Sequence, residues 1–95
     1  MTDVPSADLK REIKNLIMET LSITDVRIED VDDEKPLFGG GNALTLDSVD
    51  ALEIIMAIQR TFKVRVADQS QARYTLRSIN SIAEFIIGEK AKSIP

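Results

Sequence analysis

A chain of 95 residues and 10.6 kDa has room for one hydrophobic core and none for a two-domain enzyme. Its 43% apolar and 29% charged residues suit a domain that folds alone, and the lack of both cysteine and histidine removes disulfides, thiolate metal sites and the commonest general base. Sixteen acids against twelve bases, a net charge of −4 and a pI near 4.7 argue against neutralising nucleic-acid phosphates and point to basic partners. The charge is uneven: residues 1–53 hold thirteen acids and five bases, net −8, whereas residues 54–95 hold three acids and seven bases, net +4. Either solvated faces or an electrostatic docking face would account for that split. The longest apolar run, residues 54–58, is far short of the roughly 20 residues that span a bilayer. Residues 1–6 have neither the basic start nor the apolar stretch of a signal peptide, so the expected location is cytoplasmic.

Ser6 can cap a first helix over about residues 7–21, in which Leu9, Ile13, Leu16, Ile17 and Leu21 recur at helical spacing. Between Ser22 and Leu46 the periodicity fails, and Asp30, Asp32, Asp33, Pro36 and the triplet Gly39, Gly40, Gly41 disfavour regular structure. A connection that long in so small a domain needs anchors. Val26, Ile28, Val31, Leu37, Phe38, Leu44 and Leu46 can supply them, leaving residues 39–42 as the loosest part.

Asp47 is a good N-cap for a second helix, with Asp50 three positions on, where an acid favours the positive end of the helix dipole. Projected at helical spacing, Ile54, Ile55, Ile58 and Phe62 share one arc. Val49, Leu52 and Met56 share a neighbouring one beside Asp50 and Glu53. The first arc is expected in the core and the second partly exposed. Asp68 can start a brief helical turn through Ala72, after which Tyr74 and Leu76 are expected to turn inward. Ser78 can cap a last helix carrying Ile79, Ile82, Ala83 and Ile86, with Gly88 at its C′ position and residues 89–95 as a frayed tail. The fold expected is all-α: a small four-helix bundle of three main helices and one short one, with a long loop between the first two and an ordered core over about residues 7–88.

The glycine triplet is no phosphate cradle, because neither Lys-Ser nor Lys-Thr follows it and no strand precedes it. The acids Glu29, Asp30, Asp32, Asp33 and Glu34 resemble a calcium loop, but Lys35 stands where the glycine belongs and no closing glutamate follows; weak divalent-ion binding is the most they offer. Asp47, Asp50 and Glu53 lie at the start of a helix with no sign of a pocket that would make them paired catalytic carboxylates. Ser48 follows the cap directly, so its hydroxyl points outward at the positive end of the helix dipole. It could be an ordinary first-turn serine, a nucleophile, or the attachment point of a phosphate-linked group, and a nucleophile lacks a histidine to activate it.

The run Leu46-Asp47-Ser48-Val49-Asp50, with Glu53, Met56 and Phe62 downstream, resembles the attachment site and second helix of the acyl carrier protein family. So do the acidic balance, the loop with Pro36, Leu37 and Phe38 before the motif, and Ser78-Ile79 opening a last helix; the resemblance spans roughly residues 8–87. It implies that Ser48 carries 4′-phosphopantetheine, installed from coenzyme A by a phosphopantetheinyl transferase, and that the protein is a carrier of acyl thioesters and not an enzyme. It further implies that Asp47, Val49, Asp50, Leu52, Glu53 and Met56 form the surface read by basic patches on acyl-loading and acyl-processing enzymes, that the carrier is a monomer, and that neither metal, nucleic acid nor membrane insertion is involved.

The chain departs from the housekeeping fatty-acid pattern at Gln59 and Arg60, where acids are usual, and at Lys63 and Arg65 beyond them. Thr45 replaces a common glycine, and residues 39–44 and 74–78 look lengthened. These departures favour a specialised bacterial carrier in a lipid, fatty-acid or polyketide pathway. An aminoacyl or peptidyl carrier, and a helical interaction module that never receives the arm, are the competing readings.

Overall fold

The computed structural model describes residues 7–38 and 46–93. Among these residues four helices follow in order, α1 (Ala7–Thr20), α2 (Ser48–Phe62), α3 (Gln69–Thr75) and α4 (Ile79–Ser93), with a 3-10 turn (Ile28–Asp30) between α1 and α2. The all-α bundle expected from the periodicity is the one observed. Among the described residues the only β-type pairing is an isolated bridge between Phe38 and Leu46.

Burial follows the 3.6-residue repeat. Ile13 and Ile17 of α1, Ile54 and Ile58 of α2, and Ile79, Ile82 and Ile86 of α4 are all at most 1% exposed and form one cluster. Each contributes about 1.5–3 kcal/mol by leaving water. α1 packs on both α4 and α2, and α3 leans on α4. Leu76 closes the cluster from the α3 side, as expected, but Tyr74 stays 63% exposed instead of turning inward. Its ring lies under the Arg77 guanidinium, 5.8 Å from centroid to carbon, which gives the aromatic face a cation in place of a core.

The long connection is packed down at both of its described ends. Val31, Leu37 and Leu46 are buried. Asp32 Oδ1 accepts the backbone N–H of Glu34 at 2.8 Å and of Lys35 at 3.0 Å, which closes a tight turn. Asp33 meets Lys14 at 2.7 Å and Lys10 at 3.7 Å, tying the turn to α1. Two backbone bonds cross to the other side of the bundle: Leu37 N–H donates to Arg77 C=O and Asn80 N–H to Asp33 C=O, both at 3.0 Å. The stretch expected to be loosest, residues 39–42, lies outside the described residues, as does the Ser6 cap.

Two boundaries differ from expectation. α3 runs three residues past Ala72 to Thr75, from an Asp68 cap that accepts Gln71 N–H at 2.8 Å. α4 does not stop at Gly88 but continues to Ser93, so residues 89–93 are helix and not a frayed tail. The local sequence explains why: Glu89, Lys90, Ala91 and Lys92 are strong helix formers. One interior glycine costs only about 1 kcal/mol against them. The expected Ser78 cap is present, its Oγ accepting Ser81 N–H at 3.1 Å.

Candidate attachment site

Everything at this site depends on how α2 begins. Asp47 has extended backbone and its side chain accepts Asp50 N–H at 2.9 Å, while Asp50 Oδ2 accepts Asp47 N–H at 3.1 Å. This reciprocal capping box satisfies two N–H groups at the helix start and fixes the entry of the chain. The sequence pointed to Asp47 as the cap; the return bond from Asp50, with aspartate where glutamate or glutamine is usual, was not anticipated. Leu46, buried, holds the cap from behind, its N–H donating to Leu37 C=O at 3.0 Å.

Ser48 is therefore the first helical residue, exposed, on a helix end whose remaining free N–H groups and aligned peptide dipoles carry partial positive charge. A hydroxyl esterified to phosphate is well placed there. Val49, Leu52 and Met56 stand out beside it at 67%, 67% and 60% exposure, an unusual display of large apolar side chains. Glu53 is exposed among them and Asp50 half-buried. The division of α2 into a buried arc and an exposed apolar arc is as expected for Ile54, Ile58 and Phe62, but Ile55, expected with them in the core, is only half-buried and lines a groove. The six residues assigned to a docking surface thus share the N-terminal cap of α2 and its first two and a half turns.

Ser48 also lines a groove of about 570 Å³ between α2 and α3. Ala51, Leu52 and Ile55 line it from α2, Pro36 and Phe38 from the loop, and Ala72 and Leu76 from α3 and its C-cap. Two cationic residues, Arg73 and Arg77, complete the lining. Sequence reasoning singled out neither of them; the positive excess over residues 54–95 was their only trace, and nothing in that excess says which bases share a groove with Ser48. Gln59 has a second, structural use, its Oε1 accepting Val66 N–H at 2.9 Å to hold the chain leaving α2.

The acidic cluster of the loop is occupied with its own fold. Asp32 and Asp33 are engaged as described above, and no three acidic side chains among the described residues come together as metal ligands. The two backbone N–H bonds, helped by the nearby Lys35 and Lys14 charges, hold the Asp32 carboxyl below the ordinary carboxylate range.

The family model described as "Phosphopantetheine attachment site" matches residues 11–86, which includes α2, α3, the groove and all of the connection. No solved structure matches the chain.

Proposed function

The chain belongs to the phosphopantetheine attachment site family, and from that membership we propose that Ser48 is the serine to which the 4′-phosphopantetheine arm is joined. Members of this family are carriers, modified by a phosphopantetheinyl transferase and visited by processing enzymes, and are not themselves the catalysts. The observation that carries the assignment is the position of Ser48, exposed at the first turn of α2, at the positive end of the helix and on the lip of the groove. When bound, the arm supplies a terminal thiol, so a chain without cysteine can hold acyl groups as thioesters. The residues of this chain do the rest: the Asp47–Asp50 box presents the hydroxyl outward, and Leu46 fixes the box to the loop.

The same surface suits partner enzymes that carry a basic patch. Asp47, Asp50 and Glu53 would meet a basic patch, with Val49, Leu52 and Met56 filling the apolar centre of the footprint. The pathway is a dedicated lipid, fatty-acid or polyketide one, because Arg60, Lys63 and Arg65 are all exposed and reverse the sign of charge that a housekeeping fatty-acid enzyme meets there.

Incubation with coenzyme A and a promiscuous transferase should add one phosphopantetheine mass to the wild type and none to Ser48→Ala, read by intact-mass spectrometry. Addition to the alanine variant would place the attachment elsewhere.

A further inference from the structure

Ser48 stands between two carboxylates, Asp47 and Asp50. Any anion attached to it is favoured by the helix end and disfavoured by both neighbours, so the first turn alone is a poorly compensated place for a negative charge. Positive charge is present in the lining of the groove that Ser48 shares. Arg73, in the last turn of α3, and Arg77, just past its end, line the same groove as Ser48. Neither makes an ion pair with a carboxylate among the described residues, although the chain has more acids than bases, and the Arg77 guanidinium lies over the exposed Tyr74 ring, a contact that leaves its N–H donors to other partners. Arg77 is also held in place through its backbone. Its C=O accepts Leu37 N–H, and Leu37 C=O accepts Leu46 N–H, both at 3.0 Å, so a continuous pair of backbone bonds ties Arg77 to the segment that delivers Ser48.

We propose that Arg73 and Arg77 form an anion subsite that receives the phosphodiester joining the arm to Ser48, so that the arm lies along the groove from its first atoms onward. The proposal rests on Ser48 being the attachment point. Guanidinium groups suit the role because their planar fork can offer paired donors to phosphate oxygens and stays charged at any physiological pH. The groove's other walls are mostly apolar, which leaves the two arginines as its cationic feature.

The test compares wild type, Arg73→Gln with Arg77→Gln, and a charge-matched control, Arg11→Gln with Arg27→Gln, each converted to the holo form with coenzyme A and a promiscuous transferase. Intact mass is read first. If wild type gains no mass, the carrier reading fails and this proposal falls with it. With the arm in place, the ³¹P resonance of the phosphodiester should differ between wild type and the groove variant, converge on the variant as salt rises, and be unchanged in the control. The Nε–H signals of Arg73 and Arg77 should shift between apo and holo wild type. Replacing both arginines by lysine keeps the charge without the fork and should retain part of the ³¹P shift. One ³¹P position common to all the proteins overturns the proposal while leaving the carrier reading intact. Loading from succinyl- and butyryl-coenzyme A covers the remaining source of an anion. Arginine signals that move only with the succinyl form would assign the subsite to a cargo carboxylate and likewise overturn the phosphodiester assignment.

Discussion

A single aspartate shows how this chain spends its acids. Asp32 is exposed, yet its carboxylate organises the loop turn by accepting two backbone N–H groups. Those bonds favour the charged form and lower its proton affinity in the folded state relative to the unfolded chain. The unfolded state then binds more protons wherever pH lies between the lowered value and the ordinary one of about 3.9. Stability from Asp32 is thus fully present above the ordinary carboxylate range and is lost as pH falls through the lowered value. Asp32→Asn keeps an acceptor oxygen and removes the charge. The melting temperature of wild type should exceed that of the variant at pH 7, and the gap should close as pH is taken below about 4. A gap that is constant with pH would mean that the charge of Asp32 contributes nothing to the turn.

At the scale of one helix, the start of α2 joins stability to presentation of Ser48. Removing the Asp47 carboxylate leaves the Asp50 N–H without its partner and should cost about 0.5–2 kcal/mol, whereas Asp47→Asn retains an acceptor and should cost less. Denaturant midpoints measure both, and identical midpoints for wild type and Asp47→Ala would show that the box carries no energy. Ile54, Ile58 and Phe62 keep the body of the helix on the core, so the loss is confined to the first turn. That turn was legible in the sequence because a cap and an apolar repeat are local signals, read within four residues. The Leu37–Arg77 bond and the groove that Arg73 and Arg77 share with Ser48 were not, because each depends on segments far apart in the chain that meet only after packing. Gly88 misled for the opposite reason: a local stop signal was overruled by the helix formers that follow it.

Across the whole molecule the separation of charge becomes a property of one surface. The acids Asp47, Asp50 and Glu53 crowd the start of α2, the apolar side chains Val49, Leu52 and Met56 follow, and Arg60, Lys63 and Arg65 lie at and beyond its far end. A partner that spans this surface must present basic groups to one end and tolerate or welcome bases at the other, and a wrong match costs affinity and encounter rate. Exposed charges are screened over about 10 Å at 0.1 M salt, so the effect belongs to association and weakens as salt rises. Because Asp50 also serves the capping box, Glu53→Lys is the cleaner probe of the acidic end; it should slow modification by the transferase far more than Glu84→Lys, an exposed acid on α4. The basic end is tested by Gln59→Glu with Arg60→Glu, a pair that leaves a side-chain oxygen at position 59 to accept Val66 N–H. With the holo protein as substrate for a housekeeping malonyl transferase, wild type should load slowly at low salt, the double variant faster, and the difference should shrink as salt is added. Loading of wild type at the rate of a housekeeping carrier would show that the bases after α2's midpoint do not select partners, and would return the protein to a general fatty-acid role.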